Sequence, residues 1–107
     1  MRDLRFRLWD KEKKCFTYVG LRNKLPINYY DFYEVQQFTG LFDKQGKEIY
    51  EGDIVEIEGI RSFVVYWETS AGFRFNSYMP LGYIDRLYDA SKVGEVVGNI
   101  YENKDLL

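Results

Sequence analysis

The 107 residues, of which 46% are hydrophobic and 30% charged, predict one globular domain and exclude an intrinsically disordered chain. The net charge of −2 argues against a broad phosphate-binding surface, and the absence of histidine removes the commonest general base and metal ligand. The single cysteine, Cys15, allows no intrachain disulfide and, without a histidine partner, is interpreted as a small half-buried side chain rather than a reactive thiolate. No apolar run is long enough to cross a bilayer and no signal-peptide core follows Met1, so we expect a cytoplasmic protein. We expect neither a cofactor nor an enzymatic activity.

Apolar and basic residues alternate at the start of the chain, over residues 4–9. This alternation predicts a half-buried strand with Leu4, Phe6 and Leu8 on its inner face. Residues 15–19 are predicted to return as a second strand, so that the two form an antiparallel hairpin with a charged turn between them.

The following residues, 21–33, are rich in tyrosine and show no clean period. We interpret them as a loop or a variable insertion. Alternation resumes over residues 34–39, which are predicted to form a strand with Val35 and Phe38 pointing inward.

Two turn signatures follow, and each combines an aspartate with a glycine. Asp43 opens the first turn and Gly46 ends it, while Gly52 and Asp53 form the second turn. Aspartate can accept hydrogen bonds from backbone N–H groups, and glycine adopts a positive φ without steric cost. Structural roles are therefore predicted for all four residues.

The second half of the chain is predicted to form a β-meander followed by one further strand. Three strands with short turns between them are typical of small closed β-barrels, and they are predicted over residues 54–58, 61–67 and 73–78. Residues 79–89 carry apolar side chains at helical spacing and predict one or two helical turns. A last strand is predicted over residues 95–101, with Gly98 as a bulge or a point of close approach. Residues 102–107 can form a terminal helical turn with Asn103 as its N-cap.

Aromatic residues make up 19% of the chain, which is more than a core of this size obviously requires. Tyrosine and tryptophan are enriched at the centres of protein interfaces. The leading hypothesis is a protein-binding or self-associating module, and the alternative for the same residues is that they line the core. The candidate contact residues are Tyr29, Tyr30, Phe32, Tyr33, Tyr66 and Trp67.

A second hypothesis is weak binding of nucleic acid by the first hairpin. Basic residues beside an aromatic ring are what single-strand binding requires, although interleaved acidic residues favour a solvated hairpin face. The candidates are Arg5, Arg7, Trp9, Lys13 and Lys14, with Lys11 in the same cluster.

A third hypothesis, a Mg²⁺ site for hydrolysis, draws on the acidic residues Asp43, Glu48, Glu51 and Asp53. Hard cations prefer carboxylate oxygens. The positions of the two aspartates in turns favour backbone capping instead.

Three blocks of the sequence resemble the YopX family of phage and prophage proteins. They are residues 6–10 with Lys11 and Lys14, residues 37–55, and residues 95–103 followed by Leu106 and Leu107. The resemblance implies a mainly β fold, with an N-terminal β-rich extension over residues 1–38 and an SH3-like barrel over residues 39–107. It also implies phage origin and action in a bacterial cytoplasm, and it implies no reaction, ligand or catalytic residue.

Overall fold

A computed structural model describes residues 4–20, 29–68, 71–76 and 91–107, with the side chains of Tyr29 and Tyr30 outside the description. The described residues are mainly β, as the sequence predicted, and they form two four-stranded antiparallel sheets. The strands are β1 (Arg5–Asp10), β2 (Cys15–Gly20), β3 (Tyr33–Phe42), β4 (Glu48–Tyr50), β5 (Asp53–Ile57), β6 (Ile60–Trp67), β7 (Gly72–Phe75) and β8 (Glu95–Asn99). A short helix α1 (Tyr29–Phe32) precedes β3, and a 3₁₀ helix spans Lys104–Leu106. In these ranges no helix has the length and apolar character that a bilayer crossing requires.

The first sheet has the strand order β2-β1-β3-β4. The predicted hairpin of β1 and β2 is present, and β1 also pairs with β3, so that Leu8 lies opposite both Thr17 and Val35. The ten-residue strand β3 pairs with β1 in its first half and with β4 in its second half. The register shifts along the pairing with β4, where Gly40 has a φ of +86°. The boundary expected between the N-terminal extension (residues 1–38) and the C-terminal barrel (residues 39–107) lies inside this strand.

The second sheet has the order β7-β6-β5-β8. It contains the predicted meander of β5, β6 and β7, and β8 returns to pair with β5. One hydrophobic cluster draws on both sheets, because Ile49 comes from β4 while its other members come from the second sheet. The buried members are Ile49, Val55, Ile57, Val64, Phe75 and Val96.

Several predictions of burial on the first sheet are wrong. Alternation placed Arg7 on an exposed face, but Arg7 is buried together with Leu8 and Trp9, because β1 is an inner strand covered on both faces. Val35 is exposed although Phe38, predicted to share its inward orientation, is buried. Cys15 is exposed rather than half-buried.

Three further predictions concern the architecture. The segment interpreted as a loop contains α1 and the start of β3 in its last five residues, 29–33, and the rest of it lies outside the described residues. The helical turns predicted over 79–89 also lie outside them. The described strands form two sheets and no closed barrel, so the structure does not establish an SH3-like barrel.

Candidate functional site

Arg7, on the inner strand β1, is a buried charged residue with several polar partners. Its side chain is 5% exposed and its Nη2 lies 2.8 Å from Oδ1 of Asp53, whose side chain is 4% exposed. The same Nη2 donates to the carbonyl oxygen of Glu51 at 3.2 Å, and Nε donates to Oε1 of Gln36 at 2.5 Å. A buried charge is tolerated only when it is paired and hydrogen-bonded in this way. Arg7 therefore joins β1 and β3 of the first sheet to the start of β5 in the second.

Two aromatic rings enclose the Arg7 guanidinium. Its central carbon lies 4.4 Å from the ring centroid of Phe16 and 5.0 Å from that of Tyr50, within the range of a cation–π interaction. Trp9 continues the cluster, stacked on Tyr101 at 5.3 Å and tilted against Phe16 at 4.9 Å. Phe16, Tyr50, Trp9 and Tyr101 are thus used for packing on and beside one buried cation.

The turn between β4 and β5 places Asp53 against Arg7. Gly52 has a φ of +88°, which favours glycine. Its N–H donates to the carbonyl oxygen of Val64 at 2.7 Å, and its own carbonyl accepts from the N–H of Ile100 at 2.9 Å. Oδ2 of Asp53 accepts from the N–H of Tyr50 at 2.8 Å. The turn is thereby held by β6 and by the segment after β8.

Asp43 has the corresponding role in the preceding turn, which Gly46 closes with a φ of +84°. Oδ1 of Asp43 accepts from the N–H groups of Gln45 and Lys47, and Oδ2 accepts from the N–H of Val96 at 2.9 Å. Burial acts to raise the pKa of Asp43, but the three backbone donors outweigh it and lower the pKa below its ordinary value of 3.8. One carboxylate therefore fixes the turn and ties it to β8.

The segment after β8 is folded back by two asparagines. Oδ1 of Asn99 accepts from the N–H groups of Tyr101 and Glu102, and Oδ1 of Asn103 accepts from the N–H of Asn99 at 3.2 Å. Asn103 occupies the N-cap position of the 3₁₀ helix, but its side chain makes no capping bond there. Strand β8 pairs with β5, and the register of this pairing shifts between Ile54, which pairs with Gly98, and Val55, which pairs with Val96.

These elements surround an open cavity of about 420 Å³, which we call the Arg7 pocket. From the described part of the chain, three aromatic side chains line it, and Tyr18 among them is 59% exposed. The buried Arg7–Asp53 pair also borders the cavity, while charged side chains that are more exposed, such as Lys47 and Glu102, stand at its edge. The lining residues are Arg7, Phe16, Tyr18, Lys47, Glu48, Tyr50, Asp53, Val96, Val97, Gly98, Asn99, Glu102 and Asn103.

The titratable groups of the Arg7 pocket are shaped by burial and by their charged neighbours. Burial and the neighbouring Glu48 carboxylate raise the pKa of Tyr50 to about 12, so its hydroxyl stays protonated at neutral pH. Burial raises the pKa of Asp53, and the adjacent Arg7 guanidinium opposes that rise. Glu48 forms an ion pair with Arg5. The pocket therefore offers aromatic surface, an ion pair already formed and a mixed-charge edge.

The structure disperses the candidate nucleic-acid residues. Arg7 and Trp9 are buried, which removes both from the solvated face that the hypothesis requires. Arg5 pairs with Glu48 and lies over the ring of Phe38. Lys13 and Lys14 are exposed in the turn between β1 and β2, and Lys11 pairs with Glu34 at 3.5 Å.

The candidate protein-contact residues lie in two regions. Phe32 is exposed at the end of α1 and Tyr33 is half-buried at the start of β3. Tyr66 and Trp67 are exposed near the end of β6 in the other sheet. Tyr29 belongs to α1 with Tyr30, but the orientation of these two side chains lies outside the description.

The four carboxylates of the metal hypothesis have separate partners. Asp43 accepts from backbone N–H groups, Glu48 pairs with Arg5, Asp53 pairs with Arg7, and Glu51 accepts from the N–H of Gln37. No group of three or more histidine, cysteine, aspartate or glutamate side chains in the described ranges is placed to hold a metal ion.

Sequence reasoning missed the pocket itself. Phe16, Tyr18 and Tyr50 were not among the candidate residues, although the blocks 37–55 and 95–103 that border the pocket were singled out. The convergence of these blocks depends on long-range contacts such as that of Asp43 with Val96, for which the local sequence carries no signal.

Comparisons with known proteins bear on family and fold. The family model described as YopX protein matches residues 20–107, so the blocks 37–55 and 95–103 lie within the match and the block 6–10 precedes it. The crystal structure of protein EF1440 from Enterococcus faecalis is similar at a TM-score of 0.67 with 21% sequence identity, covering 100% of this chain and 99% of that one. The comparison with curated proteins gives no match. The likeness to EF1440 concerns the fold alone.

Proposed function

The chain belongs to the YopX family, and on this premise we propose that it is a non-catalytic protein-binding module that contacts its partner through the Arg7 pocket. The family resemblance supports a phage or prophage accessory role in the cytoplasm of a bacterial host. It also supports an SH3-like arrangement for the C-terminal half of the fold.

The observation that carries the proposal is the composition of the Arg7 pocket. Aromatic side chains and an arginine line it together with the charged residues Lys47, Glu48 and Glu102. Protein interfaces are enriched in aromatic residues and arginine and carry charged and polar residues at their rim. Tyr18 supplies an exposed ring that a partner can cover. The hydrogen-bonded turn at Gly52 holds the surroundings in place, which lowers the entropy cost of binding.

Nucleic-acid binding is the weaker hypothesis for this arrangement. Of the basic residues on the first hairpin, Arg5, Arg7 and Lys11 each form an ion pair with a carboxylate. Each phosphate contact needs a cation that is available to replace a counterion. Lys13 and Lys14 alone would give little affinity and a shallow salt dependence.

The proposal is tested by combining partner capture with a pair of matched variants. Wild-type protein is used to capture partners from the bacterial host, and the affinity of each purified partner is measured by calorimetry. Tyr18→Ser removes an exposed ring of the pocket and is expected to weaken binding by at least about tenfold. Ile60→Ser removes an exposed apolar side chain at the turn between β5 and β6 and is expected to leave affinity unchanged.

Self-association is measured on the same proteins by sedimentation. A dimer that dissociates in Tyr18→Ser but persists in Ile60→Ser identifies a second copy of the chain as the partner. If Tyr18→Ser changes neither partner affinity nor sedimentation, the Arg7 pocket is not the contact site. Binding to oligonucleotides that weakens steeply with salt would instead favour the nucleic-acid hypothesis.

A further inference from the structure

A second open cavity, of about 330 Å³, lies at the other side of the turn between β4 and β5. We call it the Glu51 pocket, and its lining residues are Gln37, Glu51, Tyr66, Ala71, Gly72 and Phe73. Among the described residues, the two pockets share no lining residue. The turn Glu51–Gly52–Asp53 thus presents one carboxylate to each cavity.

The Glu51 carboxylate can accept further hydrogen bonds. Oε1 accepts from the N–H of Gln37 at a long distance of 3.3 Å, and the described part of the chain places no lysine or arginine in an ion pair with this carboxylate. Glu34, Glu48 and Glu56, by contrast, each pair with a basic side chain. Glu51 is half-buried, and its burial raises its pKa in spite of the Gln37 N–H and the Arg7 guanidinium, which both act to lower that pKa. An incoming cation would therefore relieve a desolvated negative charge.

Two aromatic rings line the same cavity as this carboxylate. Tyr66 and Phe73 pack edge to face, with ring centroids 5.4 Å apart and planes inclined at 71°. Tyr66 is 47% exposed, so the pocket is open to an approaching side chain. Aromatic faces attract ammonium and guanidinium groups, and the attraction adds to that of a carboxylate. The neighbouring Arg74 lies over Trp67, at 4.5 Å from its ring centroid.

We propose that the Glu51 pocket binds a lysine or arginine side chain of a protein partner, with the cationic group on the Glu51 carboxylate and against the rings of Tyr66 and Phe73. A single carboxylate is a poor site for a divalent metal ion, which prefers several oxygen ligands. The identification of the partner as a protein rests on the proposed function, whereas the preference for a cationic side chain rests on this pocket alone.

The test uses small probes on the full chain, so that it requires no partner. Backbone amide NMR signals are followed while Nα-acetyl-lysine methylamide or Nα-acetyl-arginine methylamide is added. Saturable shifts are expected at Gln37, whose N–H is bonded to Glu51, and at Gly72 and Phe73. Nα-acetyl-norleucine methylamide, which has a similar apolar stem and no charge, is expected to produce none. The shifts should weaken as salt rises from about 20 to about 500 mM, because the contact is partly exposed.

Matched variants separate this site from non-specific attraction. Glu51→Gln is expected to weaken the binding of the cationic probes at least about fivefold, whereas Glu12→Gln, which removes an exposed carboxylate in the turn between β1 and β2, leaves it unchanged. Tyr66→Ser keeps the carboxylate, removes the more exposed ring, and is expected to weaken the binding about threefold. Tyr66→Ser also tests the site if Glu51→Gln fails to fold.

Three results would overturn the proposal: no saturable shifts, equal shifts with the norleucine probe, or unchanged binding in the variants that fold. Tyr18→Ser lies in the other pocket and should not affect these probes. Failure of the Tyr18→Ser experiment therefore counts against the proposed function alone, and failure of the probe titration counts against the Glu51 pocket alone.

Discussion

Arg7 of the first sheet and Asp53 of the second form a buried ion pair, with 2.8 Å between Nη2 and Oδ1. A buried pair is not by itself a source of stability, because desolvation of both groups offsets much of their attraction. Removing one partner is costly, because the other remains buried with an uncompensated charge. The loss of stability when one partner is removed therefore tests whether this contact between the sheets is buried.

We expect Asp53→Asn to lower the free energy of unfolding by about 3 kcal/mol, measured by urea denaturation at neutral pH. The control is Glu56→Gln, which breaks a pair of similar length, 2.8 Å, between side chains that are 40% and 30% exposed. This exposed pair should contribute less than about 1 kcal/mol. Equal losses in the two variants would show that the Arg7–Asp53 pair is not buried in solution.

Gly98 is required because Asn103 folds back against it. A Cβ at residue 98 would lie 2.6 Å from Oδ1 and 2.8 Å from Cβ of Asn103, which is too close for any side chain. We expect Gly98→Ala to lower the free energy of unfolding, measured with denaturant, by about 1–3 kcal/mol, which is the usual effect of overpacking.

The substitution Asn103→Gly removes the side chain that a Cβ at residue 98 would contact. In the Gly98→Ala background it should therefore lower the free energy of unfolding by less than it does in wild type. An Asn103→Gly substitution that is equally destabilising in both backgrounds would contradict the steric explanation. The comparison isolates contact between the two residues because it is a double-mutant cycle.

Asp43 should make the fold sensitive to acid. Its folded-state pKa is lowered, so its contribution is present above the unfolded pKa of about 3.9 and is lost as pH falls through the lower folded value. Asp43→Asn should therefore be destabilising at neutral pH, and the difference from wild type should shrink as pH decreases below about 4. Melting temperatures of both proteins across this range provide the measurement, and a constant difference would refute the assignment.

Glu51 should affect the pH dependence of stability in the direction opposite to that of Asp43. Because burial raises its folded-state pKa, ionised Glu51 costs stability at neutral pH, and this cost disappears as the carboxyl group is protonated at lower pH. Glu51→Gln should consequently unfold at the same or a higher temperature than wild type at pH about 7, and lose that advantage below pH about 4. A variant that is less stable than wild type at neutral pH, with the deficit shrinking on acidification, would indicate that Glu51 is stabilised by a partner in the folded chain.

Local sequence determined most of the strands and two of the turns of this protein. Strands β1, β2, β3 and the meander of β5 to β7 were predicted, whereas β4 was not, and the pairing of aspartate with glycine marked the turns at Asp43 and Gly52, because strand patterns and turn conformation depend on residues a few positions apart.

Only the tertiary structure decided which face of β1 is buried and where the carboxylates point. The burial of Arg7 depends on Asp53, which is far away in the chain, and on rings from β2 and β4 that enclose its guanidinium. Alternation alone assigns a basic residue to solvent, because a buried charge is stable only with partners that a local pattern does not specify. The two pockets on either side of Gly52 arise in the same way, from the meeting of segments that the chain brings together only when both sheets have formed.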